Sequence, residues 1–180
     1  MRKFYSLLLK LLGWHYVLNT DIPPKCVLCV APHTSNWDFL IGLSFYKSIG
    51  GKPHILMKKE LFFFPFNYLL KALGGIPVNR KKKTSLSEQM VELFDSEDDF
   101  QLAIAPEGTR KKNAEWKSGF YYIALAAQVP IVLAYLDYGK KEVGVFTNFY
   151  PTGDAEADIA KIKAYYKDVE AKYPKLFSIR

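Results

Sequence analysis

The sequence contains no long uninterrupted apolar run. A bilayer-spanning helix needs about 20 consecutive, mostly apolar residues, and no stretch of 18 or more residues here is both apolar and uncharged. No small-residue cleavage site follows the apolar N-terminal segment, which argues against a secretory signal. We therefore expect either a cytoplasmic chain or a peripheral or monotopic protein on the cytoplasmic face of a membrane.

Recognised nucleic-acid-binding motifs, internal repeats and low-complexity segments are also absent from the sequence. The formal net charge is nevertheless +7. A basic surface favours anionic partners such as nucleic acid, an anionic membrane, or small molecules that carry phosphate or carboxylate groups. Because no nucleic-acid motif accompanies the charge, we predict no nucleic acid among the partners.

Cysteine is scarce, and its two copies, Cys26 and Cys29, form a Cys-x-x-Cys pair. Such a pair is typical of redox or metal sites. In KCVLCVA, however, the pair lies in an apolar run that predicts a strand, where a separation of three places the side chains on opposite faces, about 10 Å apart. That separation exceeds the limit of roughly 7 Å for a disulfide. No second cysteine pair or His-x-x-x-His completes a zinc site, so we predict two buried thiols and no metal.

Apolar patterning organises the chain, whose 180 residues are 49% hydrophobic and 24% charged and fit one globular domain over residues 1–180. Short continuous apolar runs predict strands at 25–32, 54–57, 75–79, 101–106, 130–138 and 142–150. Helical patterns cover 37–50, 84–96 and 118–128, with an amphipathic closing helix over 154–173. This alternation predicts an α/β fold with a mostly parallel central sheet flanked by helices.

Two segments are too apolar for an ordinary solvated surface. Residues 1–17 combine leucines and aromatic residues with interspersed basic residues, which predicts an N-terminal amphipathic helix lying on an anionic membrane surface. Residues 62–66 bring four phenylalanines together around Pro65, and large apolar patches mark interaction sites. Burial in the core is the alternative for either segment.

The stretch PHTSNWDFL places His33 and Asp38 five residues apart, directly after a predicted strand. On a regular helix this offset turns the two side chains about 140° apart, so they can meet only if His33 lies on the turn and Asp38 in the first turn of the next helix. The carboxylate then accepts the proton of one imidazole nitrogen and leaves the other as a base, as in a catalytic triad without its serine. Such a pair suits a reaction in which the substrate supplies the nucleophile. The alternative is a histidine that caps a helix.

Basic and glycine-containing sequences follow two other predicted strands. GGIPVNR ends in Arg80, and APEGTR ends in a turn with Glu107, Gly108, Thr109 and Arg110. Parallel α/β sheets place ligand sites at strand ends, and guanidinium groups bind phosphate through paired donors. These residues are therefore candidate anion-binding residues, although a lone arginine is more often a solvated surface residue.

Together and in this order, HTSNWD, GGIPVNR, PEGTR and VPIV resemble the four sequence blocks of the glycerolipid acyltransferase family, which includes the bacterial lysophosphatidic acid acyltransferases. The blocks span residues 33–132, and the first and third together are specific. The resemblance implies a glycerol-3-phosphate acyltransferase-like fold. It also implies transfer of a fatty acyl group from an acyl-CoA or acyl carrier protein thioester, used as a substrate without any further cofactor, to the hydroxyl of a lysolipid in membrane lipid biosynthesis. The first candidate for that lysolipid is 1-acylglycerol-3-phosphate.

The resemblance also implies roles for single residues. His33 acts as the general base and Asp38 orients it. The residues that bind the acceptor or its phosphate are Arg80, Glu107, Gly108, Thr109 and Arg110.

The chain departs from the family pattern at two positions. Ala105 stands where the third block usually has an aromatic residue, and Leu133 where the fourth block often has proline. These departures leave the reaction type unchanged and the acceptor open between a phosphate-bearing lysolipid and another one, such as an amino-acid-derived lysolipid. A non-catalytic basic membrane-binding protein is the third alternative, but it leaves the pair of His33 and Asp38 unexplained.

Overall fold

A computed structural model describes residues 2–78, 86–113 and 115–179 of the protein. Within these residues the helices are α1 (Arg2–Leu11), α2 (Asn36–Ser48), α3 (Phe66–Ala72), α4 (Leu86–Ser96), α5 (Gly119–Ala126) and α6 (Ala155–Ala164). The strands are β1 (His15–Leu18), β2 (Lys25–Ala31), β3 (Pro53–Lys58), β4 (Gly75–Val78), β5 (Phe100–Ile104), β6 (Ile131–Asp137) and β7 (Glu142–Phe149). Short 3₁₀ turns cover Lys59–Leu61 and Pro174–Leu176.

The described strands form one sheet in the order β1-β7-β6-β2-β5-β3-β4. Neighbouring strands are parallel except β6 and β7, which are antiparallel. The predicted α/β fold with a mostly parallel sheet is confirmed, and the six predicted strands correspond to β2 through β7. Residue 79 of the predicted strand 75–79 and residues 84–85 of the predicted helix 84–96 lie outside the described residues.

Helices cover both faces of the sheet. On one face, α1 and α2 pack against the strands through Leu9 and Phe45. On the other face, α4, α5 and α6 contribute Phe94, Phe120 and Ile162 to a larger buried cluster. Coverage on both faces explains why the central strand β2 is a continuous apolar run in the sequence.

The two cysteines confirm the predicted strand geometry at β2. Cys26 packs among the buried side chains on the α1 and α2 face, and Cys29 among those on the opposite face. Both are free and buried. Burial raises the pKa of the Cys26 thiol to about 12 and raises the pKa of Cys29 as well, so neither offers a reactive thiolate at neutral pH.

Helix α3 lies on the same side of the sheet as α2. The connections β2-α2-β3 and β3-α3-β4 run in the same direction across the strand order. Because crossovers between parallel strands are right-handed in nearly all proteins, both helices cover the same face. The face therefore carries α1, α2 and α3.

The predicted helix over residues 1–17 is wrong in its length. Helix α1 ends at Leu11, Gly13 turns the chain with φ of +73°, and β1 then pairs in parallel with β7. An open edge of β7 would leave its backbone donors and acceptors unpaired, and the β-branched and aromatic residues of HYVL suit a strand. None of the described helices has the length and apolar content needed to cross a bilayer.

The predicted closing helix over 154–173 is also too long, because α6 ends at Ala164. Beyond it, the hydroxyl of buried Tyr166 donates to the carbonyl of Cys29 at 3.0 Å. The carbonyl of Glu170 then accepts from the backbone N–H of Tyr138 at 2.8 Å. These tertiary hydrogen bonds replace the helical ones that a continued α6 would make.

Candidate active site

The site begins at the loop between β2 and α2. Ser35 is the N-cap of α2, and its hydroxyl accepts from the N–H of Trp37 at 3.2 Å. Asp38 completes a capping box, since its Oδ2 accepts from the N–H groups of Thr34 and Ser35, both at 2.7 Å. The residues that cap the helix therefore also fix the position of the Asp38 carboxylate.

His33 lies on this loop beside the carboxylate. Its Nδ1 is 3.4 Å from Oδ2 of Asp38, a long hydrogen-bond distance. The side chain of His33 is 28% exposed and that of Asp38 only 2%. A carboxylate only accepts hydrogen bonds, so a hydrogen bond between the two requires the proton on Nδ1 and leaves Nε2 free to act as a base. The predicted placement on the turn and the first helical turn is what the structure shows, and the catalytic roles stay predictions.

The second oxygen of Asp38 has its own donor. The hydroxyl of Tyr138, one residue beyond β6, donates to Oδ1 at 2.7 Å. Burial raises the pKa of the Asp38 carboxyl, but hydrogen bonds from His33, Tyr138, Ser35 and Thr34 outweigh it and hold the pKa below its usual value. Asp38 is therefore a buried anion at neutral pH.

Glu107 lies beneath the same loop and is only 3% exposed. Its Oε1 accepts from the backbone N–H of His33 at 2.9 Å, while Oε2 is buried and has no hydrogen-bond partner among the described residues. Burial raises the pKa of Glu107 to about 7, even though the hydrogen bond from His33 opposes the shift. The side chain thus holds the His33 backbone, and its predicted contact with the acceptor stays a prediction.

The loop after β5 carries the other predicted residues. The N–H of Gly108 donates to the carbonyl of Ala105 at 3.1 Å, in a turn that gives Gly108 a φ of +65°. Glycine adopts this conformation without steric cost. A Cβ at Gly108 would lie 2.8 Å from Cδ of Lys117, so the lysine packs directly over the turn. Thr109 is half-buried and Arg110 is exposed.

These strand ends meet at one edge of the sheet. Strands β2 and β5 are parallel neighbours, so His33 and the turn at Gly108 follow adjacent carboxyl ends, where parallel sheets bind ligands. Strand β4 ends at the same edge with Val78. Arg80, two residues further on, lies outside the described residues.

A mostly apolar cavity of about 170 Å³ lies between α2 and the sheet, and His33 and Asp38 are among its lining residues. The remaining lining comes from α2 and from strands β2, β3, β5, β6 and β7. A more open concavity of about 610 Å³ is lined mainly by α6 and has no histidine. We therefore assign the smaller cavity to the candidate site.

The other two histidines lie in different surroundings. His15 is in β1 rather than in the N-terminal helix, with Nε2 3.0 Å from Oε2 of Glu142. His54 stacks on Phe100 at the start of β3, and burial lowers its pKa. In the described part of the chain, no three or more His, Cys, Asp or Glu side chains form a group that could hold a metal ion.

Sequence reasoning missed three features of the site. Tyr138 and Lys117 were not among the candidate residues, and the hydrogen bond from the backbone N–H of His33 to Glu107 was not anticipated. The available signal for Tyr138 was its position at the carboxyl end of a predicted parallel strand, where ligand sites form. The contact of Glu107 with the histidine loop spans 74 residues of sequence and has no local signal.

Comparison with known proteins shows the family to which the chain belongs. The Acyltransferase family profile matches residues 16–136, well over half of the chain, and the protein belongs to this family. The match includes His33, Asp38 and the turn at Gly108 and ends before Tyr138.

Two named relatives are similar in sequence to parts of this chain. It is 35% identical over 83 residues to human 1-acyl-sn-glycerol-3-phosphate acyltransferase beta, covering 43% of this chain and 30% of that protein. It is 32% identical over 120 residues to a probable 1-acyl-sn-glycerol-3-phosphate acyltransferase of Mycoplasma pneumoniae, covering 62% of this chain and 44% of that protein. The chain thus spans less than half the length of these curated relatives.

The fold is similar to that of a solved relative. The crystal structure of the 1-acyl-sn-glycerophosphate (LPA) acyltransferase PlsC from Thermotoga maritima matches 92% of this chain and 75% of that chain, with a TM-score of 0.62. Sequence identity is 17%, so this likeness is one of fold.

Proposed function

We propose that the protein transfers a fatty acyl group from an acyl-CoA or acyl carrier protein thioester to the hydroxyl of 1-acylglycerol-3-phosphate. One observation carries the proposal: a partly exposed imidazole, with Nδ1 beside a buried carboxylate, lines a mostly apolar cavity. The names of the two relatives support this acceptor.

The chemistry follows from the orientation of His33. Its Nε2 takes the proton of the acceptor hydroxyl while the oxygen attacks the thioester carbonyl carbon, and the imidazolium that forms is stabilised by Asp38. The carbon–sulfur bond then breaks, and the thiolate leaves and regains a proton. Since a thiolate is a good leaving group, base catalysis and positioning supply most of the acceleration, and the base alone is worth about 10²- to 10⁴-fold.

The loop after β5 suits a phosphate-bearing acceptor. Arg110, Lys111, Lys112 and Lys117 give it four cationic side chains, and all four are exposed. Guanidinium groups bind phosphate through two parallel N–H donors. The phosphate of the acceptor then lies at the strand ends, and its free hydroxyl points to His33.

The cavity beside His33 suits the acyl chain. Its walls are mostly apolar, and they lie under α2, directly next to the imidazole. Small-molecule sites are typically apolar clefts with a few placed polar groups. An acyl chain in this cavity brings its thioester carbonyl next to the acceptor hydroxyl that Nε2 of His33 deprotonates.

The test is lipid mass spectrometry on the purified protein. Acyl-CoA and acyl carrier protein thioesters are each supplied with lysophosphatidic acid, with other lysophospholipids and with an amino-acid-derived lysolipid, and His33→Ala is the control. We expect phosphatidic acid from wild type only. If wild type consumes another lysolipid faster than lysophosphatidic acid, that lysolipid replaces lysophosphatidic acid as the proposed acceptor. If wild type and His33→Ala consume the thioester equally, the proposed acyltransferase activity is wrong.

The sheet face that carries α1, α2 and α3 also suits an anionic membrane surface. Large apolar side chains are exposed along it: Phe4, Leu7 and Leu11 of α1, Trp37, Phe39 and Leu40 of α2, and Leu61, Phe63, Phe64, Phe66, Tyr68 and Leu69 around α3. We call these residues the apolar face. Arg2, Lys3, Lys10, Lys58, Lys59 and Lys71 accompany them, as in interfacial segments that bind anionic lipid.

The same face carries the candidate site, because the cavity lies under α2. Binding of the apolar face to a membrane therefore places the cavity next to the lipid phase, where both the lysolipid acceptor and the acyl product reside. This arrangement supports a peripheral or monotopic attachment.

Vesicle binding tests the membrane proposal. Phe63→Ser with Phe64→Ser should weaken binding to phosphatidylglycerol vesicles at least about tenfold, since each substitution removes a large exposed apolar area. The matched control is Tyr122→Ser with Tyr165→Ser, two aromatic residues exposed on the α5 and α6 side, which should bind like wild type. Equal binding by both double variants would contradict the assignment.

A further inference from the structure

We propose that Tyr138 is a positioning residue for the reaction: its hydroxyl fixes the Asp38 carboxylate and thereby the imidazole of His33. The inference rests on the proposed function and adds a residue that lies beyond the family match, which ends at residue 136. It is carried by a direct 2.7 Å hydrogen bond to a carboxylate oxygen.

The two oxygens of Asp38 are held differently. Oδ2 accepts the N–H groups of Thr34 and Ser35 and faces Nδ1 of His33. Oδ1 accepts from Tyr138, its one donor among the residues that the structure describes. With Oδ2 held by these contacts, the hydroxyl at Oδ1 adds a second fixed point and prevents the carboxylate from pivoting about Oδ2.

The ring of Tyr138 is itself fixed by the surrounding elements. It packs edge-on against Trp14, with centroids 4.8 Å apart at 87°, and the ammonium groups of Lys141 and Lys172 lie 5.7 and 5.8 Å from the ring centroid. The backbone N–H of Tyr138 donates to Glu170 at 2.8 Å. Because the N-terminal segment, the β6–β7 turn and the C-terminal segment all hold this ring, its hydroxyl reaches Asp38 without further ordering.

The C-terminal segment also contacts the histidine loop directly. The N–H of Tyr173 donates to Oγ1 of Thr34 at 3.3 Å, and Lys172 lies 4.9 Å from the ring centroid of Trp37. The loop that carries His33 is therefore braced by residues beyond the family match. Among these residues, Tyr138 is the one whose side chain contacts the Asp38 carboxylate directly.

The chain offers a matched control for the hydroxyl. On the opposite face of the sheet, the hydroxyl of Tyr121 donates to Oδ2 of buried Asp158 at 2.8 Å, in the first turns of α6. Removing either hydroxyl leaves a buried carboxylate oxygen without that donor. Only the removal at Tyr138 is expected to affect catalysis.

The experiment compares Tyr138→Phe with Tyr121→Phe in acyl transfer. For Tyr138→Phe we expect kcat to fall about tenfold or more, with KM for thioester and lysolipid unchanged, because a displaced base loses positioning and not substrate binding. For Tyr121→Phe we expect a kcat within about twofold of wild type and a lowered melting temperature. An unchanged kcat in Tyr138→Phe, or equal losses in both variants, overturns the proposal.

A second measurement needs neither substrate nor the Phe substitution. Site-specific 3,5-difluorotyrosine at position 138 keeps the ring and strengthens its hydroxyl as a donor, and ¹⁵N NMR of the three histidines reports which nitrogen of His33 is protonated. We expect the His33 resonances to shift with the substitution at position 138 and to stay constant with the same substitution at position 121. Constant resonances in both proteins overturn the positioning role even if the acceptor is a different lipid. If wild type transfers no acyl group while the resonances respond, the proposed function fails and the positioning role stands.

Discussion

Asp38 and Asp158 are buried carboxylates on opposite faces of the sheet, and a tyrosine hydroxyl and backbone N–H donors anchor each of them. Asp38 accepts two backbone N–H groups and the Tyr138 hydroxyl. Asp158 accepts the N–H and hydroxyl of Thr152 and the Tyr121 hydroxyl. In both cases burial raises the pKa of the carboxyl, and the hydrogen bonds hold it below its usual value.

What differs is the neighbour on the solvent side. Asp38 faces the imidazole of His33, which lines a cavity. Asp158 faces the exposed ammonium of Lys161 at 3.6 Å, which only neutralises its charge. A lowered carboxyl pKa therefore shows that hydrogen bonds anchor the side chain at both positions. The neighbouring imidazole and the cavity are what distinguish the candidate site.

The largest expected effect is at the group that distinguishes the two carboxylates. His33→Ala should lower kcat by about 10³-fold or more, because it removes the base and its orientation together. Steady-state thiol release measures the loss. His15→Ala is the control and should keep kcat near the wild-type value; thiol release by His33→Ala at the wild-type rate would contradict the mechanism.

The next effect compares the carboxylates directly. Asp38→Asn should lower kcat by about 10²-fold or more through a wrong imidazole tautomer. Asp158→Asn should leave kcat unchanged and lower the free energy of unfolding by about 1 to 3 kcal/mol, the cost of an impaired buried hydrogen-bond network. Kinetics and urea unfolding on both variants separate the roles, and a matching kcat loss in Asp158→Asn would show that the two clusters do not differ in function.

Glu107 extends the comparison to a carboxyl whose pKa moves the other way. Burial raises its pKa from 4.5 to about 7, so the folded state binds the proton more tightly than the unfolded chain does. The free energy of unfolding therefore falls as pH rises from 4.5 to about 7, by on the order of 3 kcal/mol. Glu107→Gln keeps an acceptor for the His33 N–H and should remove this fall. Urea unfolding at pH 5 and pH 7.5 measures it.

The control for Glu107 is the exposed Glu156. Glu156→Gln should keep the wild-type pH dependence of unfolding. If Glu107→Gln keeps it as well, the buried carboxyl is not the group that titrates between these pH values.

The smallest effect concerns two exposed cations, Arg110 on the loop after β5 and Lys161 beside Asp158. Arg110→Lys keeps the charge and loses the paired donors, so KM for lysophosphatidic acid should rise about tenfold to a hundredfold with little change for the thioester. Lys161→Ala removes the ion pair of Asp158 and should leave both KM values unchanged. Equal losses on acceptor and thioester in Arg110→Lys would instead place Arg110 at the donor or in the fold.

Much of this protein was predictable because it depends on local patterns. The continuous apolar run of β2 predicted a buried strand with Cys26 and Cys29 on opposite faces, and both expectations are confirmed. The five-residue offset of His33 and Asp38 predicted a turn followed by a helix, since no other local geometry lets them meet. The four motif blocks indicated the family, and the family match confirms it.

The errors lie where tertiary contacts outweigh local preference. Residues 1–17 have a helical apolar pattern, yet β1 forms because the edge of β7 offers backbone partners. The closing helix stops at Ala164 because Tyr166 and Glu170 make hydrogen bonds to other elements. The apolar pattern within one segment contains no information about hydrogen-bond partners that lie far away in the sequence.

The sequence by itself therefore determined the α/β class, the strands β2 to β7 along the chain, and the histidine and aspartate at a strand-to-helix turn, because each follows from spacing and local backbone geometry. Only the tertiary structure decided that Tyr138, 100 residues from Asp38, supplies the donor for its second oxygen. It also decided that Glu107 holds the backbone of His33 from a separation of 74 residues. These contacts exist because parallel strands bring their carboxyl ends to one edge of the sheet, and strand order across the sheet is set by packing rather than by any short stretch of sequence.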